Sequence, residues 1–146
     1  MLLNIDHVLS GELLHVLDDM GHTDRLLIAD ANVPLLRFSC PVVRLGEIRV
    51  ARALSALLSV FPLDEPLDAA VTRMPAKGDA ERLNASQADC LEVLREQVSP
   101  DFSYRVPALE DFYAEAFSVS AVVHVLEPVP ASSLILTKGV VYPDWS

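Results

Sequence analysis

Two residues at the borders of one short apolar run carry the chemistry this sequence can support. His22 precedes that run and Asp30 closes it, in Met20-Gly21-His22-Thr23-Asp24-Arg25-Leu26-Leu27-Ile28-Ala29-Asp30. His22 is expected just beyond a helix C-terminus, where the negative helix end favours an imidazolium in a side chain that titrates near neutrality. The competing expectation is that its ring only bonds the last helix carbonyls. Asp30 is expected at the C-terminal end of a buried strand, where α/β folds place their ligands. Its competing role is an Asx-turn that bonds the backbone near Asn32.

The remaining chemistry-bearing residues are scattered. His7, His15 and His124 form no HxxxH or HxH pair with each other or with His22, so no metal site is expected. His15 falls on a helix and His124 in a run of valines, where a packed histidine bonded to a carbonyl is the default. There is no GxGxxG, GxxxxGK[ST] or GxSxG, so neither a nucleotide cofactor nor a serine nucleophile is expected. Cys40 and Cys90 lie fifty positions apart outside any CxxC, and are read as reduced and buried.

The elements that must position these residues can be traced along the chain. Ser10 caps a first helix with a Leu13, Leu14, Val16, Leu17, Met20 stripe, and Gly21 is expected to be its left-handed terminator. Leu26–Ala29 is a strand buried on both faces. Further strands are expected at Pro41–Leu45, Ala69–Met74, Ser103–Val106 and Val119–Leu126, with a last one from Leu134–Leu136 towards Val140-Val141. Further helices are expected over Ile48–Val60, from a Ser86 cap to Val98, and over Leu109–Phe117, with Lys77–Ala85 as loop. Alternating helices and strands point to a three-layer α/β/α fold around a mostly buried mixed sheet, as a single domain over residues 1–146.

Composition narrows the partners. The net charge of −10 repels phosphate backbones and anionic membranes, so neither nucleic acid nor membrane is expected. A neutral ligand such as a sugar suits this charge. No apolar stretch of about 18 residues free of charge or proline suggests a membrane span, and Met1–Leu9, with Asp6, does not read as a signal peptide, so a cytoplasmic protein is expected. An apolar content of 51% is high for a domain this small, and points to a homo-oligomer that buries surface between subunits.

The gap-free pattern Met20-Gly21-His22-Thr23-Asp24, then Ala29-Asp30-Ala31-Asn32-Val33-Pro34, resembles the D-ribose pyranase and L-fucose mutarotase family. The resemblance extends through the Ser10–Met20 helix, Leu54–Asp64, Phe112-Tyr113 and Leu134–Val140. It implies an isomerase that interconverts anomers or ring forms of a free monosaccharide, fucose-like or ribose-like, without cofactor or metal. It also implies rings of subunits, decamers among them, with sites near subunit contacts. It makes His22 the catalytic proton donor and gives Asp30, with Asn32, to the sugar hydroxyls. The family's Tyr-x-Asn places are held here by Ala131, Ser132 and Ser133, with Ser133 as a weaker substitute for the Asn. Its basic residue near Phe112-Tyr113 is replaced by a Leu109-Glu110-Asp111 stretch, which puts Glu110 among the substrate-binding candidates.

Three functions therefore stand side by side. The chain is a sugar mutarotase, a sugar-binding or regulatory module that has lost the chemistry, or a structural oligomer in which His22 only caps a helix. Spacing adds one constraint. His22 and Asp30 are eight residues apart, about 26 Å if fully extended at about 3.3 Å per residue. A site that uses both needs a sharp turn after His22 or residues from two chains.

Overall fold

The computed structural model describes residues 1–144. The elements run α1 (Gly11–Asp19), β1 (Arg25–Ala29), β2 (Val42–Gly46), α2 (Val50–Leu58), β3 (Val71–Arg73), α3 (Ala85–Gln97), α4 (Leu109–Ala116), β4 (Ala121–Val125) and β5 (Leu134–Thr137). Short 3₁₀ turns sit at Leu35–Arg37 and Leu67–Ala69. The strands form one sheet in the order β2-β4-β1-β5-β3. Strand β4 runs parallel to both β1 and β2, whereas β5 is antiparallel to β1 and β3, so the sheet is mixed as expected.

Alternation along β1 explains the layers. Successive side chains of a strand point to opposite faces. Leu26 and Ile28 meet α1, α2 and α3 through Leu13, Leu17, Leu54, Leu57 and Leu94. Leu27 and Ala29 face the other way, onto Phe112 and Ala116 of α4 and the 33–42 segment. The second outer layer is thus one helix plus a loop. Leu54 and Leu57 are fully buried, and burial of each stabilises the fold by roughly 1.5–3 kcal/mol.

Several boundaries differ from the sequence expectation, each for a local reason. Helix α3 is capped by Asn84, not Ser86. Asn84 accepts from Gln87 N while the Gln87 side chain accepts from Asn84 N, a reciprocal box that needs a Gln or Glu three residues on. Ser86 has the shorter Asp89 there, and instead turns its hydroxyl to the buried Glu127. No strand forms over Ser103–Val106. Arg105 makes a single bridge to Thr72, and Pro107 beyond it lacks the N–H to extend a ladder. Strand β5 stops at Thr137 and does not reach Val140-Val141, because Lys138 and Gly139 turn to pair with the Pro62–Leu63 segment.

The N-terminal segment is pinned by charge. Both Asp6 carboxylate oxygens accept from the Arg52 guanidinium at 2.8 Å, and Val8 N donates to Asp6 at 3.0 Å. The Arg52 hydrogen bonds, then the Val8 amide, hold the Asp6 carboxyl down at about 2 from its ordinary 3.8. A carboxyl depressed on folding contributes stability above its ordinary value and loses it as pH falls towards the folded value. Urea midpoints should therefore drop between about pH 4 and pH 2 in the native chain. In Asp6→Asn the midpoint should be lower at pH 6 and its fall over that acid window smaller.

Candidate functional site

His22 lies in a short loop between α1 and β1 that three backbone segments lace together. Thr23 N donates to Lys138 O (2.8 Å), Lys138 N to Asp24 O (2.8 Å), Asp64 N to Thr137 O (3.0 Å) and Gly139 N to Pro62 O (2.8 Å). This lacing brings Asp64, 42 residues away in sequence, within 2.9 Å of His22 Nε2. The ring remains open to solvent, with 55% of its side chain exposed. It lines a cavity of about 460 Å³ shared with Leu14, Phe61, Lys138 and Val140. The hydrogen bond from His22, followed by a backbone amide, holds the Asp64 carboxyl below its ordinary value. An ionised Asp64 that accepts from Nε2–H leaves Nδ1 as the nitrogen with a free lone pair.

The helix-capping role that competed for His22 belongs to another residue. Lys138 Nζ donates to Leu17 O at 2.7 Å and also to Met20 O. A lysine at a helix C-terminus satisfies orphan carbonyls and complements the negative helix end. With the carbonyls met in this way, Gly21 need not terminate α1 in a left-handed turn. The cap is the extended Met20, and the positive φ (72°) falls on Thr23. Gly21 N is instead held by Asp24 at 2.7 Å.

Asp30 is 2% exposed at the opposite end of β1. Its Oδ1 accepts from Asn32 N (2.9 Å), the Asx-turn expected of it. Its Oδ2 accepts from Ser132 N (3.1 Å) and from the Ser133 hydroxyl (2.8 Å), which in turn accepts from Asp30 N (3.0 Å). A carboxylate offers about four lone-pair sites, so about one is left for a ligand. Asp30 nonetheless lines a second cavity, about 510 Å³, closed by the 74–78 loop, by Leu109 and Tyr113 of α4, and by Val129–Ala131. This places Asn32 and Ala131 on the cavity wall, whereas Ser133 is fully buried behind Asp30 and Glu110 is not among the lining residues. Ala131 adopts φ 60°, a conformation unusual for a residue with a Cβ. Its carbonyl accepts from Gln87 Nε2 (2.7 Å) and Asn84 Nδ2 (3.2 Å), which hold it there.

His22 and Asp30 therefore do not meet within one chain. The five residues of β1 separate them, about 16 Å at about 3.3 Å per residue, and each lines its own cavity. His124 sits beside Ala29 in the sheet, nearer the Asp30 end. It is bonded to no carbonyl among the described residues. Burial and then Arg44 lower its pKa, with Asp30 opposing them. His15 is exposed and pairs with Asp19 at 3.4 Å. Cys40 and Cys90 are not joined, and burial pushes the Cys90 thiol up to about 12, which makes it a poor nucleophile at neutral pH. Among the described residues no group of three or more His, Cys, Asp or Glu is gathered as metal donors would be. No helix there is long and apolar enough to cross a membrane.

The profile of the RbsD / FucU transport protein family matches residues 3–141. The chain belongs to the RbsD/FucU family. It is 35% identical to the fucose mutarotase of Danio rerio, over 99% of this chain and 97% of that protein. It is 34% identical to the L-fucose mutarotase of Haemophilus influenzae strain 86-028NP, over 96% and 97%. The crystal structure of the fucose mutarotase from Streptococcus pneumoniae in complex with L-fucose superposes with a TM-score of 0.82 at 27% identity, over 97% of this chain and 100% of that one. Relatives named as mutarotases are isomerases by reaction class.

Within this RbsD/FucU fold, sequence reasoning did not single out Asp64 or Lys138 as site residues. Both had a signal, since Asp64 closes the Leu54–Asp64 segment and Lys138 lies in the Leu134–Val140 segment that the family resemblance already covered. What the sequence did not carry was that Asp64 would meet His22, which happens only where three distant segments cross.

Proposed function

We propose that this protein is a cofactor-independent sugar mutarotase or pyranase that acts on a free, fucose-like or ribose-like monosaccharide. One observation carries the proposal: an exposed histidine, paired to a carboxylate and relieved of helix capping by Lys138, lines an open cavity of about 460 Å³. Mutarotation needs a group that can take and return a proton near neutral pH, and general acid–base help of this kind is worth roughly 10²–10⁴-fold. Asp30 and Asn32 would position the sugar in the other cavity. The L-fucose bound in the Streptococcus pneumoniae relative is consistent with this substrate class.

Because the two half-sites lie at opposite ends of β1, the working site is formed by two copies of the chain. One copy contributes the His22–Asp64 pair and its neighbour contributes the Asp30 cavity. A homo-oligomeric ring supplies such contacts by repetition of one interface. The exposed apolar residues Leu109 and Tyr113 at one cavity, and Val140 and Val141 at the other, suit a subunit contact.

A second reading has its own support. Ala131 offers no polar side chain to the cavity, and Asp30 has most of its acceptor capacity taken by backbone and Ser133. A module that binds sugar without turning it over would look like this. Saturation-transfer NMR of anomer exchange on L-fucose and D-ribose separates the two. Acceleration by the native protein supports the enzyme, and binding without acceleration supports the module. Mixed assemblies test the shared site. His22→Ala chains and Leu109→Trp chains, the latter with a blocked cavity, should each be inactive and should regain activity when assembled together. No recovery on co-assembly would refute a site built from two copies.

A further inference from the structure

We infer that Gln87, assisted by Asn84, is the positioning residue that sets the shape of the Asp30 cavity, and with it the affinity of the site for its sugar. The inference rests on the reading above that this cavity holds the sugar. Gln87 is fully buried and does not line the cavity, so it acts through the backbone it holds.

Gln87 and Asn84 form the capping box at the start of α3. Capping asks these side chains only for oxygen. Asn84 Oδ1 accepts from Gln87 N (2.8 Å), and Gln87 Oε1 accepts from Asn84 N (3.1 Å). Asp at the first position and Glu at the second cap a helix as well as their amides do, and their charge suits the positive helix end better. Yet both positions hold the amide, and the first turn of α3 carries no acidic residue. Capping therefore accounts for the two oxygens and leaves two NH2 groups to be explained.

Both NH2 groups are spent on the cavity. Gln87 Nε2 donates to Met74 O (2.8 Å) and Ala131 O (2.7 Å). Asn84 Nδ2 donates to Pro130 O (2.9 Å) and Ala131 O (3.2 Å). Met74, Pro130 and Ala131 all line the cavity, the first in the segment after β3 and the others in the turn before β5. A carboxamide nitrogen carries two hydrogens, so Gln87 gives one to each segment. The reverse orientation of the amide would set its oxygen against both carbonyls, so the network fixes it.

Gln87 is the tie between these two parts of the wall. Among the described residues no hydrogen bond runs directly from residues 74–80 to residues 129–131. Arg73 donates to Met74 O (3.1 Å) and to Ala80 O, but both lie on the same loop. Gln87 also helps to hold Ala131 at φ 60°, a conformation uncommon for a residue with a Cβ. A buried carbonyl left without a donor is unfavourable. Without the Gln87 amide the two segments would shift until water reached their carbonyls, and the cavity would lose its form.

The test is anomer exchange and sugar affinity by saturation-transfer NMR with L-fucose and D-ribose, on the native protein and on Gln87→Glu, Gln87→Met, Asn84→Asp and Asp6→Asn. Gln87→Glu keeps the capping oxygen and loses both donors to the wall, and Gln87→Met loses oxygen and donors alike. In both, KM should rise about tenfold, as it does when the formed cavity falls to about a tenth of the population. Once a sugar is seated it holds the walls itself, so kcat should stay within about threefold of native. Asn84→Asp keeps the cap and removes the two weaker ties, so KM should rise less, with an unchanged urea midpoint. Asp6→Asn is destabilised at a place that lines neither cavity and should keep the native KM. A native KM in both Gln87 variants reduces the pair to a helix cap and overturns the inference alone. So does a KM in Asp6→Asn raised as far as theirs, since affinity would then only follow stability. Where neither Gln87 variant folds, Asn84→Asp decides, and a native KM there overturns the inference. Native protein that binds either sugar without accelerating exchange overturns the mutarotase reading, and the same tenfold shift read in Kd upholds Gln87. Native protein that neither binds nor accelerates overturns both.

Discussion

His22→Ala should reduce catalysed anomer exchange by about 10²–10⁴-fold, the range that general acid–base groups contribute. The side chain is exposed and packs little, so the change in unfolding free energy should stay within about 0.5 kcal/mol. Loss of activity with an unchanged urea midpoint then isolates the chemistry. Asp64→Asn should cost less, on the order of tenfold, because the imidazole remains and only its orienting carboxylate is lost. The exposure of the pair limits what that interaction is worth. The Asp64 carboxyl lies below its ordinary value, so it stays ionised through neutral and mildly acid pH and should not set the main acid limb of the native profile. Activity of His22→Ala equal to native would remove the imidazole from the mechanism.

Gly139→Ala should be the most damaging single methyl group that can be added at the site. A Cβ there would lie 2.4 Å from Leu63 O, 2.7 Å from Leu63 C and 2.9 Å from Asp64 Cα. All three atoms are backbone, so no side-chain rotation relieves the overlap. The 62–64 segment must move away from 137–139, at a cost of about 1–3 kcal/mol and a Tm lowered by roughly 3–9 °C. The same movement carries Asp64 from His22, so exchange activity should fall as well. Gly11→Ala is the contrasting change: its Cβ would meet nothing within 4 Å, and alanine in a helix is favoured over glycine by up to about 1 kcal/mol. Thermal melts of the two variants should move in opposite directions. A Gly139→Ala protein as stable and active as native would mean that the two segments are not in close approach.

His22 was legible in the sequence alone, because it follows a helix end and lies in a gap-free local pattern. Asp30 was legible for the same reason, and so was its Asx-turn. These are short-range features, set by residues within a turn or two of each other. The apolar stripe of α1, the buried runs of β1 and β4 and the mixed α/β layering were also readable, since periodicity of burial is written locally.

Three things waited for the tertiary structure. The cap of α3 fell to Asn84 because a reciprocal box needs its partner three residues on, and only Asn84 had one of the right length. The carboxylate beside His22 is Asp64 and the cation at the end of α1 is Lys138, both delivered by backbone bonds between segments up to about 120 residues apart. The separation of His22 and Asp30 followed from the straightness of β1, which strand geometry allowed the spacing to anticipate but not to settle. Sequence determined which residue types were available at the borders of β1. Folding decided their partners, because hydrogen bonds and ion pairs act over about 3 Å in space whatever the distance along the chain.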